Sequence, residues 1–278
     1  MPRRSRYRCA SFVLVALSST VAAQTTSSVQ YLGNEGVMVT HEDTKVLFDP
    51  LFGQSFDIYQ LVPPRIVDAI YAGDPPYDGV DAVFVSHYHG DHFSAEAMLR
   101  LLAQRTDVHL YAPAQAVAEM RAGAEDHELF DRVTTFDLEY GDEPVFVRTE
   151  DLLIEAIRVP HSGWPTRRTE VQNIAFRVTL ADTSTVLHLG DADARVVHFE
   201  QNAEYWFERR IDLALPPYWF FMSRGGQEVL EDHIDIRNTI GIHVPASYGD
   251  DPASVPDELL GYELFTFPGE GRRFTGSQ

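Results

Sequence analysis

The sequence predicts an α/β fold in one large domain, and three observations support that prediction. Apolar runs rich in β-branched and aromatic residues, typical of buried strands, alternate with segments of helical pattern. Several of the predicted strands end in histidine or aspartate. The chain also has 278 residues, of which 44% are hydrophobic, and this is enough for a sizeable core. Neither an internal repeat nor a low-complexity tract divides it.

The most informative segment is Ser-His-Tyr-His-Gly-Asp-His at positions 86–92. It follows a predicted strand at 81–85 and precedes a predicted helix at 94–102, for which Ser94 is the expected N-cap. Imidazole and carboxylate groups are ligands for zinc and similar divalent metals. The candidate ligands are His87, His89, Asp91 and His92.

The spacing of this segment predicts that it serves two neighbouring metals. Side chains two positions apart in an extended segment point to the same side, as those at 87 and 89 would. Gly90 then permits a sharp turn that aims the following side chains elsewhere. The alternative interpretation is a polar turn that happens to be rich in histidine.

Residues 1–23 have the pattern of a secretory signal peptide. Four arginines precede a short apolar core at 9–17, and small residues offer a cleavage site near Ala23. The apolar core is too short to span a membrane stably, although an uncleaved anchor is the alternative. We therefore expect a periplasmic or secreted protein whose mature domain, 24–278, has no stable membrane span.

Cleavage would change the composition of the chain. The only cysteine, Cys9, would be removed, so the mature protein would have no disulfide and no thiolate metal ligand. Lys and Arg would fall from 22 to 18 against 42 acidic residues, and the formal net charge would move from −20 to −24. This acidity argues against general nucleic-acid binding, which needs neutralisation of phosphates, and it leaves a small-molecule substrate.

The predicted elements begin with a polar lead-in at 24–29 and three short strands at 30–32, 36–40 and 45–48. Asp49 follows the third strand and could orient a ligating histidine, although the local pattern alone favours a turn-forming residue. Later strands are predicted at 108–111, 132–136, 144–148, 152–159, 171–180, 185–189, 211–215, 239–244 and 263–267. Helices are predicted at 66–71, 94–102, 114–122, 202–210 and 227–238.

Residues 51–80 are irregular and aromatic, with two Pro-Pro pairs. A loop of this length is uncommon unless it covers something. Two interpretations follow from this: the segment is a lid over the metal cleft, or it is an edge that packs against the core or a partner.

Three further potential ligands, His161, Asp191 and His243, lie at the ends of later predicted strands. With the four in 86–92 they make seven, a number that suits two metals with one shared ligand. Asp191 is the natural bridge, because one carboxylate has two oxygens. Two metals about 3.5–4 Å apart can hold a bridging hydroxide and polarise a substrate oxygen. The chain has neither a Gly-x-Ser-x-Gly elbow nor a phosphate-binding glycine loop.

These residues resemble the metallo-β-lactamase superfamily. The match is the family's His-x-His-x-Asp-His motif, here at 87–92, together with Asp49, His161, the Gly190-Asp191 pair and His243, in the family's order. The resemblance implies a four-layer αββα sandwich with a di-metal site at one edge of the paired sheets. It implies that His87, His89 and His161 hold one metal and that Asp91, His92 and His243 hold the other. It also implies that Asp191 bridges the two metals and that Asp49 supports a ligating histidine, against the local preference.

The branch of the superfamily is suggested by Asp191. True β-lactamases of this superfamily often use a cysteine at the second metal, and the mature chain has none. The pattern looks more like the lactonase, thioesterase and phosphodiesterase branches. The short N-terminal strands are most similar to ascorbate-6-phosphate lactonase and the N-acyl-phosphatidylethanolamine phospholipase D proteins. The apparent export signal and the aromatic segment 51–80 depart from those relatives, which argues against a cytoplasmic sugar phosphate as substrate.

Two later loops are candidates for the substrate pocket, because aromatic side chains beside arginines suit a substrate with an apolar body and an anionic or carbonyl group. The candidates are Trp164, Arg167 and Arg168 in one loop and Tyr218, Trp219 and Arg224 in the other. The alternative is that these aromatic residues are buried packing and the arginines pair with surface carboxylates.

The leading hypothesis is an exported hydrolase with two divalent metals, zinc first and manganese or iron next, acting on an ester, a lactone or a phosphodiester. A bridging hydroxide would attack, and Asp91 and Asp191 would be the catalytic carboxylates. The alternative is a non-catalytic metal-binding or sensing module on the same scaffold. Redox chemistry at a di-iron site is a third possibility, and these ligands also suit iron, manganese and nickel.

Overall fold

A computed structural model describes residues 26–276 and shows two β-sheets packed face to face. The first sheet has seven strands in the order β12-β1-β2-β3-β4-β5-β6, and the second has five in the order β11-β10-β9-β8-β7. The strands are β1 (Thr26–Gly33), β2 (Gly36–His41), β3 (Thr44–Phe48), β4 (Ala82–Phe84), β5 (His109–Pro113), β6 (Val133–Phe136), β7 (Val145–Arg148), β8 (Leu152–Arg158), β9 (Ile174–Leu180), β10 (Ser184–His188), β11 (Leu213–Leu215) and β12 (Gly271–Thr275).

Helices cover the outer face of each sheet. They are α1 (Pro64–Ala72), α2 (Ala95–Gln104), α3 (Ala114–Gly123), α4 (Val197–Glu200), α5 (Ala203–Glu208), α6 (Trp219–Met222), α7 (Arg224–Glu228) and α8 (Ala246–Asp250). Short 3-10 helices span Glu128–Arg132, Pro252–Ser254 and Asp257–Leu259, and a π-helical turn spans Val229–His233. The predicted N-cap is confirmed, since the Ser94 side chain accepts a hydrogen bond from the Ala97 N–H at the start of α2.

Three buried clusters separate the four layers. The largest lies between the sheets and includes Phe48, Phe84 and Phe176. A second cluster packs α1, α2 and α3 against the outer face of the seven-stranded sheet, and a third packs the α4–α7 region against the five-stranded sheet. Every residue of β9 and β10 is buried, which includes the polar side chains of Arg177 and His188, because both faces of the five-stranded sheet are covered. The predicted αββα sandwich is confirmed.

Parallel pairing brings the ends of β3 and β4 to one edge. Phe48 pairs with Phe84, so Asp49 and the segment after Phe84 leave the sheet side by side. The second sheet reaches the same edge, because the Ile174 N–H donates to the Ser86 carbonyl at 2.9 Å. Polar side chains on several loops therefore converge at this edge.

The structure differs from the sequence prediction at four places. Residues 26–29, expected as a polar lead-in, belong to β1, which pairs with β12. The predicted helix 227–238 ends at 233, in a π-helical turn. The predicted strands 239–244 and 263–267 form only isolated bridges, and the last strand is Gly271–Thr275. These segments sit at the sheet margins, where tertiary contacts override local propensity.

Among residues 26–276, none of the helices has the length and apolar character needed to cross a membrane. The predicted signal peptide at 1–23 lies outside the described residues.

Candidate metal centre

The carboxylate of Asp191 faces two separate groups of histidines. Its Oδ2 lies 3.1 Å from His161 Nε2 and 3.9 Å from His87 Nε2. Its Oδ1 lies 3.0 Å from His243 Nε2 and 3.3 Å from His92 Nε2. One carboxylate therefore offers one oxygen to each of two neighbouring positions, which is the arrangement that a bridging ligand needs.

The remaining two predicted ligands complete the two groups. His89 Nδ1 lies 3.0 Å from His87 Nε2 and 3.2 Å from His161 Nε2. Asp91 Oδ2 lies 3.6 Å from His243 Nε2 and 3.7 Å from His92 Nε2. Donor atoms within each group lie within 4.8 Å of one another; one group is His87, His89, His161 and Asp191, and the other is Asp91, His92 and His243. All seven predicted ligands are thus brought together.

Asp49 orients His92 from the side away from the two groups. The Ser86 N–H donates to Asp49 Oδ1 at 2.7 Å, and the Ser86 hydroxyl donates to Oδ2 at 2.5 Å. His92 Nδ1 lies 2.9 Å from Asp49 Oδ2, so the ring donates from Nδ1 and keeps the Nε2 lone pair for the site. His161 is oriented in the same way, with Nδ1 donating to the Ser162 carbonyl at 2.9 Å.

The backbone holds Asp191 in place. Its N–H donates to Asn173 Oδ1 at 2.9 Å, and its carbonyl accepts from the Ser162 N–H at 2.7 Å. The preceding Gly190 has φ +54°, and a Cβ there would lie 2.4 Å from Asn173 Oδ1 and 2.7 Å from Ser86 Cβ. Only glycine fits this approach, which explains the Gly-Asp pair seen in the sequence.

Three potential ligand atoms at the second group are suited to bind a cation. His92 Nε2, His243 Nε2 and Asp191 Oδ1 are buried and lack hydrogen-bond partners within residues 26–276. Buried polar atoms are normally paired, so such atoms converging on one point need a common partner. Imidazole nitrogens and carboxylate oxygens are the donors that divalent metals accept. The residues present therefore fit a divalent metal site.

The electrostatics divide the histidines into two kinds. Burial lowers the pKa of His87, and it lowers the pKa of His89 to about 4, so both rings are neutral and ready to ligate at pH 7. Burial also opposes charge on His243, but the carboxylates of Asp191 and Asp91 outweigh it and raise that pKa to about 9. The pKa of His92 is raised in the same sense, chiefly by Asp191. Metal binding at the second group must therefore displace protons.

An open cavity of about 860 Å³ leads to these ligands. His89, Asp91, Asp191 and His243 line its floor. Its walls are Gly53, Gln54, Phe56, Ile58, Tyr59, Tyr88, Gly90, Phe93, Ser94, Ala95, Glu119, Ser162, Arg168 and Trp219. A small molecule entering the cavity reaches the potential metal ligands directly.

Of the six predicted pocket residues, Arg168 and Trp219 line the cavity. Trp219 lies edge-on to the His243 ring at 5.1 Å and donates from Nε1 to the Ala192 carbonyl at 3.0 Å. Arg168 is exposed and forms no ion pair within residues 26–276. The other four lie outside the lining: Trp164 packs against His198 and Tyr140, Tyr218 packs against Tyr248, Arg167 lies beside Gly163, and Arg224 begins α7.

The aromatic segment 51–80 divides into two parts. Residues 53–59 line the cavity, and the Gln54 N–H donates to the Gly90 carbonyl at 2.9 Å. The Tyr59 ring contacts the His243 ring edge-on, with 4.1 Å between centroids. Residues 62–80 instead pack α1 into the outer core. Residues 53–59 thus lie at the cavity, where a lid would be, and residues 62–80 pack against the core.

Asn34 and Glu35 lie in the turn between β1 and β2 and were not predicted to belong to the site. Both are fully buried, and the Glu35 carboxyl lies 3.7 Å from His92 Nδ1. The sequence carries no local signal for this burial, because asparagine and glutamate in a two-residue turn are typical of an exposed connection.

The family model described as a beta-lactamase superfamily domain matches residues 44–239, which is most of the chain. No curated protein matches the sequence.

Solved structures share the fold at low sequence identity. An isothiocyanate hydrolase from Delia radicum gut bacteria is 14% identical, with a TM-score of 0.58 over 89% of this chain and 99% of that one. Igni18, a metallo hydrolase from Ignicoccus hospitalis, is 14% identical, with a TM-score of 0.56 over 90% of this chain and 99% of that one. CmlA, a diiron β-hydroxylase from Streptomyces venezuelae, is 13% identical, with a TM-score of 0.53 over 91% of this chain and 55% of that one.

The family match, the αββα sandwich and the clustered histidines and aspartates agree with one another. The chain belongs to the beta-lactamase superfamily and has the metallo-β-lactamase fold, with side chains placed to hold divalent metal.

Proposed function

We propose that the protein is a di-metal hydrolase that cleaves an ester, a lactone or a phosphodiester. The observation that supports this most directly is the position of Asp191, whose two oxygens face two separate groups of histidines at 3.0–3.9 Å. A single structural metal would not need a carboxylate shared in this way. Two divalent ions there, zinc in the first instance with manganese or iron as alternatives, would polarise a substrate oxygen and supply a bridging hydroxide at neutral pH.

The protein's own residues have distinct parts in this proposal. Asp191 fixes the spacing of the two positions through its backbone bonds to Asn173 and Ser162. Asp91 lies on the cavity floor beside His243 and can accept the proton released during hydrolysis. Tyr59 and Trp219 flank His243 on two sides and keep its ring in place at the cavity floor.

The cavity walls support a substrate with an apolar body and one anionic or carbonyl group. Phe56, Ile58 and Trp219 present apolar surface close to the ligands. Arg168 reaches the same cavity and has no acidic partner within residues 26–276, so its charge is available to a substrate. A guanidinium pairs well with carboxylate and phosphate groups.

The test uses the mature protein without residues 1–23. Bound metal is measured by elemental analysis, and the same preparation is screened with p-nitrophenyl esters, lactones and bis-p-nitrophenyl phosphate. We expect about two metals per chain, a count set by the two donor groups, and cleavage that a chelator abolishes. Two metals without cleavage of any class would favour the metal-sensing alternative, and no metal after reconstitution would contradict the ligand assignment.

A matched pair of histidine variants separates chemistry from folding. His89→Ala removes a donor from the first group and is expected to abolish turnover while the fold is retained. His109→Ala removes a half-buried histidine at the start of β5, whose ring forms a hydrogen bond of 2.9 Å with the Thr134 hydroxyl. This variant should leave turnover unchanged. A His89→Ala protein that lacks metal but keeps the full rate would refute the mechanism.

We propose further that the protein is exported, with cleavage near Ala23. The basic and apolar pattern of residues 1–23 supports this. Mass spectrometry of the N-terminus after expression with the full sequence tests it, because a mature chain should begin at Gln24.

A further inference from the structure

Glu35 is a buried carboxyl that forms no hydrogen bond. It is 0% exposed, and neither of its oxygens has a hydrogen-bond partner within residues 26–276. The histidine nitrogens within 4 Å of it are His92 Nδ1 and His188 Nε2, each 3.7 Å from Oε2. Burying a carboxyl without hydrogen-bond partners costs folding free energy unless positive charge lies nearby. The presence of a glutamate at this position therefore needs an explanation.

The position of Glu35 relates it to one half of the metal centre. Glu35, Asp191 and His243 have donor atoms within 4.8 Å of one another. Glu35 does not line the cavity, so it approaches this half from the interior of the protein. It is therefore unavailable to substrate, and its influence must pass through His92, His243 or a metal beside them.

The neighbouring Asn34 binds the same half through its polar groups. Its Nδ2 donates to the Asp91 carbonyl at 2.9 Å, and its own carbonyl accepts from the His243 N–H at 3.1 Å. The turn between β1 and β2 thus contacts Asp91 and His243 through Asn34, and His92 through Glu35. The described contacts of this turn with metal-ligand candidates all go to the second group and to the shared Asp191.

A third metal between Glu35, Asp49 and His188 is a poorer explanation. Asp49 already accepts hydrogen bonds from Ser86 on both oxygens and from His92 on Oδ2. His188 Nδ1 accepts from the Gly190 N–H, so its Nε2 carries the hydrogen that bonds the Glu35 carbonyl at 3.1 Å. Of these three residues, only Glu35 has oxygen or nitrogen atoms that are not already used in hydrogen bonds and could bind a metal.

We propose that Glu35 is a positioning residue for the metal held by Asp91, His92 and His243, and that the Asn34–Glu35 turn sets the affinity of that metal relative to the other. Glu35 places a carboxyl without hydrogen-bond partners behind the second group, where a cation would be favoured beside its oxygens, while Asn34 fixes the backbone of Asp91 and His243. This inference rests on the proposed function, since it requires two metal positions.

The first variant is Glu35→Gln, which keeps the shape of the side chain and replaces a carboxyl that can become negatively charged with a neutral amide. Zinc is titrated calorimetrically into metal-free protein, and elemental analysis follows dialysis against buffers of fixed free zinc. We expect the zinc ion held by Asp91, His92 and His243 to bind roughly 10–100-fold more weakly, the usual effect of losing a supporting group. The affinity of the zinc ion in the first group should be unchanged. Because Glu35 makes no hydrogen bond, the metal-free variant should be as stable to denaturant as the wild type, or more stable.

The control is the other fully buried glutamate, Glu155. It pairs with Arg177 through two hydrogen bonds of 2.6 and 2.8 Å, remote from the metal centre. Glu155→Gln should lower stability and leave both zinc affinities unchanged, the opposite pattern to Glu35→Gln. Asn34→Gly is a second test, since glycine accepts the positive φ of this position and removes only the bond to Asp91. It should weaken binding of the same zinc ion.

The outcomes separate the two proposals. A wild-type protein that binds no zinc would refute the proposed function. A wild-type protein with two zinc ions and a Glu35→Gln variant with both affinities unchanged would overturn this inference alone. Equal weakening of both equivalents, or a metal-free Glu35→Gln protein that is less stable than wild type, would show a merely structural role and overturn it as well.

Discussion

Asp49→Asn exchanges one oxygen of a carboxylate for an amide and reverses a hydrogen bond. Asp49 Oδ1 accepts the Ser86 N–H, so the asparagine oxygen must occupy that place to keep the bond. The amide nitrogen then faces His92 Nδ1, 2.9 Å from the present oxygen, and donates to it. His92 would be forced to carry its hydrogen on Nε2, where the metal lone pair should be.

The magnitude follows from the bonds that change. Losing one charge-assisted bond to His92 costs about 1.5–3 kcal/mol, and the Ser86 hydroxyl can rotate to accept from the new amide. The wrong tautomer of His92 is expected to weaken metal binding at the second group by roughly 10–100-fold, or about 1.4–2.8 kcal/mol. The first group contains no direct contact with Asp49 and should keep its affinity.

The assay combines zinc calorimetry with denaturant unfolding of the metal-free protein. Asp212→Asn is the matched control, because Asp212 is also fully buried and accepts a backbone N–H, from Thr185, at 2.9 Å between β10 and β11. It should alter stability without altering zinc affinity. An Asp49→Asn protein whose two zinc affinities stay within threefold of wild type would refute the reasoning about the His92 tautomer.

Three further outcomes are expected. Gly190→Ala should lower the free energy of unfolding by about 2–5 kcal/mol, because the positive φ is strained for alanine and its Cβ would overlap Asn173 and Ser86. Gly79→Ala has a positive φ but open space around its Cβ, so it should lower the free energy of unfolding by only about 1–2 kcal/mol. Equal losses in denaturant unfolding would contradict the packing argument. The pKa of His243, about 9 in the metal-free fold, gives stability that is complete below about pH 6.5 and is lost as the pH rises through 9. A His243→Gln protein should show a shallower loss of stability in unfolding curves over this range, with the remaining slope due to His92. Arg168→Gln should raise KM for anionic substrates more than tenfold and leave kcat nearly unchanged, and an unchanged KM would remove Arg168 from substrate binding.

Much of the metal centre was predictable because its signal is local. Segment 86–92 carries four ligands in a short strand-to-helix turn, and the structure places them together as the spacing indicates. His161, Asp191 and His243 were found because each follows an apolar run, and such runs end at a shared sheet edge. The order of the motifs along the chain then supplied the fold.

Other features depend on packing that no local pattern records. Glu35 looks like an exposed turn residue, and only the fold over it reveals that it is buried. Residues 239–244 have strand character, yet they meet neighbours through single bridges because β11 stops at Leu215. Trp164 was a reasonable pocket candidate, but its ring is taken up by His198, Tyr140 and Arg195.

The ligands of this centre come from distant parts of the chain. Asp91, Asp191 and His243 meet within a few ångströms, although they are far apart in sequence. The centre can therefore form only after nearly the whole chain has been made and the two sheets have joined. Metal binding is therefore a late step of folding, and it links the two sheets after they have assembled.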